Sequence, residues 1–141
     1  MMDIKVEIDG DEELIVKFDK MADLTKVKEA VKKSTLNIQR NAKAKVPVKT
    51  GHLRRSIATK VSGTEGEVNT SNVKYAIMVE KGTRAHTITP KSRKALYWQG
   101  ARHPVRKVNH PGSAAKPYLI PAFKQEKPLF IQNLKNAIKL D

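Results

Sequence analysis

Four histidines, His52, His86, His103 and His110, are the groups in this chain able to ligate a metal or move a proton near neutral pH. The last three are spaced 17 and 7 residues apart, which matches no familiar ligand pattern. No acidic residue lies near them in sequence to orient an imidazole. Beyond residue 20 the acids are Asp23, Glu29, Glu65, Glu67, Glu80, Glu126 and Asp141, too scattered to build a two-metal nuclease. There is no cysteine, which removes disulfides, thiolate zinc sites and a cysteine nucleophile. No phosphate-binding glycine loop, GxSxG or GxGxxG is present. The sequence therefore predicts no catalytic residue, no metal and no cofactor. A metal-dependent enzyme built on the histidines stands only as an alternative.

The other chemistry on offer is charge. Net charge is +14, from 28 Lys+Arg against 14 Asp+Glu. Residues 1–20 hold seven acids and three lysines, a net of −4, which leaves +18 on the remainder. From Lys81 to Gln125 there is no acid at all. That stretch carries Lys81, Arg84, Lys91, Arg93, Lys94, Arg102, Arg106, Lys107 and Lys116, with Tyr97 and Trp98 among them. Bases interleaved with aromatics can hold nucleic acid by phosphate contact and stacking. The competing reading makes Tyr97 and Trp98 the core of a β-excursion with a solvated exterior. No helix-turn-helix, RRM or zinc-finger pattern supports sequence-specific readout. An acidic end and a basic body also permit head-to-tail association of identical chains.

These residues need elements to place them. Ile4, Val6 and Ile8 alternate with Asp3, Lys5 and Glu7, and Leu14, Val16 and Phe18 alternate after the Asp9–Glu12 turn, predicting an acidic β-hairpin. Asp23 is an expected N-cap for a helix running to about Lys45. Leu24, Val27, Val31, Thr35, Ile38 and Ala42 make one stripe on it, with bases on the other faces. Pro47 stops that helix. One short helical turn over 52–56 and a hairpin of Ile57–Val61 with Glu67–Thr70 follow. Tyr75–Lys81 reads as a short helix with Tyr75, Met78 and Val79 on its apolar face and Gly82 as its stop. Residues 83–116 contain Pro90, Pro104 and Pro111 and are expected to form a long loop or β-excursion. Pro117 opens a terminal helix with Leu119, Phe123, Phe130, Leu134 and Ile138 on one face, kinked or broken near Pro128. The expected architecture is one α+β domain over residues 1–141. A small, mostly antiparallel sheet packs against one long helix, with a short central helix, the basic 83–116 excursion and a C-terminal helix. No apolar run reaches the roughly 18 residues of a membrane span, and the acidic N-terminus is unlike a signal peptide. The expected setting is therefore the cytoplasm.

Three segments in order carry a resemblance. Val46-Pro47-Val48-Lys49-Thr50-Gly51-His52-Leu53-Arg54-Arg55-Ser56-Ile57 is similar to a P-x-x-T-G-x-L-x-x-S-I pattern. Tyr75-Ala76-Ile77-Met78-Val79-Glu80-Lys81-Gly82-Thr83 is similar to Y-A-x-x-V-E-x-G-T. His110-Pro111-Gly112, then Lys116-Pro117-Tyr118-Leu119-Ile120-Pro121-Ala122, is similar to H-P-G with K-P-F-L-x-P-A, with Tyr118 where phenylalanine is common. Together they resemble the gene-product-ten-like family of long-tailed bacteriophage tail-completion, or head–tail joining (neck), proteins, over about residues 24–138. The resemblance implies a non-enzymatic virion assembly protein of a phage or prophage, made in the host cytoplasm and built into the virion neck. Its partners would be other phage neck and tail proteins. It would self-associate into a ring through which DNA passes, with a non-specific nucleic-acid-binding module as the alternative.

The motif residues expected to matter structurally are Pro47, Thr50, Gly51, Leu53, Ser56, Tyr75, Ala76, Glu80, Gly82, Thr83, Pro111, Gly112, Pro117, Pro121 and Ala122. Those expected to face a partner or DNA are Arg84, Lys91, Arg93, Lys94, Arg102, Arg106 and Lys107. Thr50-Gly51 is expected to cap the turn starting at Leu53. Glu80, a lone acid among bases, is expected to pair with Arg54, Arg55 or Arg84. It is also expected to tolerate replacement less well than Glu65 or Glu67.

Overall fold

The computed structural model describes residues 6–7 and 24–138. The order of elements is β1 (Val6–Glu7), α1 (Leu24–Lys45), α2 (His52–Ser56), β2 (Ile57–Ser62), β3 (Glu65–Thr70), α3 (Ala76–Lys81), β4 (His86–Ile88), β5 (Val108–His110) and α4 (Leu119–Ala137). The expected second strand of the N-terminal hairpin and the Asp23 cap lie outside the described residues.

α1 forms where the 3.6-residue stripe predicts it. It buries Val27, Ala30, Val31, Ser34, Thr35, Ile38 and Ala42, while Leu24 at its start is largely exposed. It ends at Lys45, two residues before Pro47, with Val46 N–H closing the last turn on the Ala42 carbonyl at 2.9 Å. β2 and β3 pair antiparallel from Ile57↔Thr70 to Ser62↔Glu65 around Gly63-Thr64. That turn is tighter than the five-residue loop the sequence suggests, and Gly63 supplies its positive φ of 59°. β1 pairs on the far side of β3, with Val6 opposite Val68, so the sheet order is β1-β3-β2. β4 and β5 form a separate antiparallel ribbon. The molecule is α+β, as expected.

The core lies where α1 and α4 meet each other and the sheet. Ile38, Ala42 and Val46 pack with Leu53, Ile57, Val68, Val73, Ala76, Tyr118, Leu119 and Ala122. Gly66 permits the close approach of α1 to β3. A Cβ built there would overlap Thr35 Oγ1 and lie 3.2 Å from both Thr35 Cβ and Val31 Cγ1. The Thr35 hydroxyl is held in that position by donating to the Val31 carbonyl at 2.7 Å.

Of the kink or break expected near Pro128 the break does not occur, and the buried face of the last helix differs from the expected one. α4 runs without a break through Pro128, which lies on its exposed side. The lost bond therefore leaves the Lys124 carbonyl at a hydrated surface, where its cost is smallest. The buried face is Leu119, Ala122, Glu126 and Phe130, so an acid occupies one of its positions. Glu126 accepts from Asn37 Nδ2 at 3.2 Å, and Asn37 Oδ1 accepts from the Arg40 guanidinium at 3.2 Å. This gives the α1–α4 contact a polar seam.

Gly66→Ala is expected to destabilise the fold by about 1–3 kcal/mol, the usual cost of overpacking a tight contact. Adding Thr35→Ala, which removes the nearest clashing atom, should recover part of it. Urea denaturation of the three variants measures both effects, and an unchanged midpoint in Gly66→Ala would contradict this packing.

Candidate functional site

The three sequence motifs converge on one surface. The lip 47–53 joins α1 to α2. α3 follows β3, and the Thr83–Ser113 bridge forms the base of the β4–β5 ribbon. Between them lies a groove of about 640 Å³. One wall is Pro47 to Leu53. The floor is Tyr75, Met78 and Val79. The other wall is Thr83, His86, Ile88, His110, Ser113, Ala114 and Lys116. Val48, Tyr75, Met78 and Ile88 are exposed there as large apolar side chains.

The first wall is shaped by Gly51, whose φ of 75° starts α2 from a left-handed conformation. The expected Thr50 side-chain cap is only a long contact, 3.5 Å from His52 N–H to Thr50 Oγ1. The firmer bonds come from elsewhere. Arg55 N–H donates to the Gly51 carbonyl at 3.0 Å, and the Arg55 guanidinium to the Thr50 carbonyl at 3.3 Å. Leu53 is buried beneath, and Ser56 Oγ donates to its carbonyl at 2.8 Å. His52 Nδ1 and the Tyr75 hydroxyl, 3.3 Å apart, tie this lip to α3.

α3 is a helix as predicted, but it is turned relative to the expected face. Of Tyr75, Met78 and Val79, only Val79 packs against the core; Tyr75 and Met78 are exposed, whereas Ala76 and Glu80 are buried. The reason is α4. The Glu80 carboxylate accepts three backbone N–H groups at its N-terminus: Tyr118 at 2.8 Å and Leu119 at 2.9 Å on Oε2, and Ile120 at 2.9 Å on Oε1. The next residue, Pro121, has no N–H to satisfy. One side chain 38–40 residues away therefore takes up the donors that a helix start leaves open, and it places negative charge at the positive end of the helix dipole. Glu80 does not pair with Arg54, Arg55 or Arg84. Those three are exposed, and among the described residues no ion pair involves Glu80. Charge attraction to a solvated guanidinium is worth little beside three bonds in a buried site.

Gly82 and Gly112 make the crossing that brings these segments together. Thr83 and Ser113 exchange both backbone bonds, at 2.9 and 3.0 Å, and Lys116 N–H donates to the Val79 carbonyl at 2.8 Å. At Gly82 (φ 73°) a Cβ would lie 2.6 Å from the Ser113 carbonyl oxygen, and at Gly112 (φ 92°) it would overlap that of Thr83. Each strand's glycine clears the other strand's backbone. Pro111 and Pro117 flank this crossing and are exposed, Pro121 is half-buried and Ala122 is fully buried.

Register places His86 opposite His110, and their rings stack with centroids 5.1 Å apart. His86 Nδ1 donates to the Arg84 carbonyl at 2.9 Å, and His110 Nδ1 accepts from Gly112 N–H at 3.0 Å. Sequence spacing alone missed this pair, because only the ribbon's register reveals it. His103 is exposed elsewhere on the ribbon. Among the described residues no three His, Cys, Asp or Glu side chains gather as a metal site. Of the bases expected to face a partner or DNA, Arg84 lies beside the groove, while Lys91, Arg93, Lys94, Arg102, Arg106 and Lys107 lie further out on the ribbon. All are exposed. Tyr97 and Trp98 do not form a core for the excursion. They are 69% and 50% exposed.

Beneath the groove Tyr118 is fully buried, and its hydroxyl and that of Thr70 make no formed hydrogen bond. Burial pushes the Tyr118 phenol up from 10.0 to about 12; the Glu80 carboxylate adds to the rise and the Thr70 hydroxyl opposes it.

Two predictions follow from this geometry. Glu80→Ala and Glu80→Lys should each cost on the order of 3 kcal/mol or more, because three donors lose their acceptor. Glu67→Ala, at a partly exposed strand position, should cost less than about 1 kcal/mol. Equal losses in denaturant titrations would contradict the cap. In the second, a phenol pKa raised in the folded state favours folding while protonated. That contribution is complete below pH 10 and disappears as pH rises from 10 to about 12. Tyr118→Phe should therefore lose less stability than the parent across that window. Parallel alkaline limbs would show that Tyr118 does not titrate as described.

No helix among the described residues is long and apolar enough to cross a membrane. No curated protein and no solved structure matches the chain. A model of the HK97-gp10-like family, described as a bacteriophage tail component, matches residues 12–83. It covers the first two motifs, and the third, joined to them through Glu80 and the Thr83–Ser113 bridge, lies beyond it. With half of its length matched, the chain belongs to the HK97-gp10-like family of bacteriophage tail components.

Proposed function

We propose that this tail component is a neck, or tail-completion, protein that joins the tail to the head. In this reading all of residues 1–141 act as one structural unit, without catalytic activity. The observation that carries it is the convergence of the three motifs on a groove that is rigid beneath and apolar above. Its inner side is fixed by the Glu80 cap and the paired glycines, while Val48, Tyr75, Met78 and Ile88 remain uncovered. Residues committed to shaping a surface rather than to polarising a substrate suit an assembly contact.

A head-to-tail ring needs one surface of each subunit to complement a different surface of the next. The net −4 of residues 1–20 and the +18 of the remainder supply a polarity that suits such joining, with DNA passing through the ring. The partners are then neighbouring copies and other neck and tail proteins. The chain would be made in the host cytoplasm and end in the virion.

Deletion of the gene from its phage should yield filled heads and tails that remain separate, counted by electron microscopy of lysates. Complementation with Met78→Asp, altered at an exposed groove position, should give folded protein and the same unjoined particles. Normal virions in the deletion would overturn the neck assignment. Normal virions with Met78→Asp alone would remove the groove from the contact.

A further inference from the structure

We propose that the β4–β5 ribbon is an arm that binds duplex DNA through its backbone, with Trp98 at the contact. The assignment deepens the neck reading and rests on it for the presence of DNA beside the subunit. Beyond Ile88↔Val108 the two strands meet again at Leu96↔Val105, through bonds of 2.7 and 3.0 Å. Eight positions separate Ile88 from Leu96, but only three separate Val105 from Val108. The surplus, residues 89–95, bulges from one strand and carries Lys91, Arg93 and Lys94. The opposite strand carries Arg106 and Lys107, and the tip beyond the bridge carries Arg102 and turns through Ala101 N–H to the Trp98 carbonyl at 2.9 Å.

All six bases are exposed, and among the described residues none is ion-paired. Between Lys81 and Gln125 there is no acid to pair with them. Glu80 and Glu126 are both buried and hydrogen-bonded, to backbone N–H groups and to Asn37 respectively. Tyr97 and Trp98 at the tip of this charged ribbon expose ring faces on which a base or sugar edge can pack. A two-stranded ribbon fits the roughly 12 Å major groove, and bases along both of its strands can reach the phosphates on either side.

Trp98 is the chain's single tryptophan, so its emission reports on the tip directly. The purified full chain is titrated with a mixed-sequence 25-base-pair duplex at several salt concentrations. The expected result is quenching of Trp98, with log K falling against log[NaCl] at a slope of about −5, or roughly a thousandfold between 50 and 200 mM. The combined Lys91→Ala, Arg93→Ala, Lys94→Ala variant should lower that slope by about 3. Lys28→Ala, Lys32→Ala and Lys33→Ala on α1 should leave the quenching intact. No binding at 50 mM NaCl overturns the proposal. So does binding with Trp98 emission unmoved, or a slope unchanged in the ribbon variant, either of which would place the contact on another face. Quenching by anionic phosphatidylserine vesicles without quenching by duplex would assign the arm to a lipid surface instead. None of these failures touches the gene-deletion phenotype, which tests the neck reading by itself.

Discussion

A single buried carboxylate fixes the relation between the middle of this chain and its end. Glu80 takes the Tyr118, Leu119 and Ile120 N–H groups, and Pro121 removes the next donor, so α4 starts without an open donor in that run. A carboxylate placed in the interior is tolerable only when its charge is met, and here oriented dipoles meet it rather than a counter-ion. The first turn it holds places Tyr118, Leu119 and Ala122 in the core beside Ile38 and Ala42 of α1.

That constraint reaches the surface. α3 has only six residues, and turning Glu80 inward turns Tyr75 and Met78 outward. The apolar groove is thus the other side of the cap. The Thr83–Ser113 bridge beside it requires two backbones to cross closely, which Gly82 and Gly112 allow from opposite strands. From that bridge the ribbon projects, so the arm and the groove share one foundation. The acids that bound the arm in sequence, Glu80 and Glu126, are hydrogen-bonded in the interior, and among the described residues none of the arm's bases is ion-paired.

Much of the scaffold was legible in the residues. The period of α1, the stop before Pro47, the β2–β3 hairpin and the glycine after α3 are decided within a few neighbours, where propensity and sterics dominate. What was not legible depends on distant partners. Glu80 reads as half of an ion pair because it is a lone acid among bases, while its actual partners are backbone groups that no side-chain pattern records. The orientation of α3 could not come from periodicity in six residues. The His86–His110 stack needed a register across 24 positions of sequence, and the exposure of Tyr97 and Trp98 is compatible with the same composition as a buried ribbon core. Pro128 predicts a kink or a break because proline interrupts a helix, yet on a solvated face the helix continues past it.

The claim on which the rest depends is that Glu80 holds the first turn of α4. Residue-resolved amide hydrogen exchange on the unmodified chain tests it most directly, since it reads the Tyr118, Leu119 and Ile120 N–H groups one by one. The cap predicts that all three exchange only with global unfolding, at the rate of the Ile38 and Ala42 amides in the middle of α1. Exchange of these three amides at the rate of the exposed Lys91–Lys94 segment would contradict it.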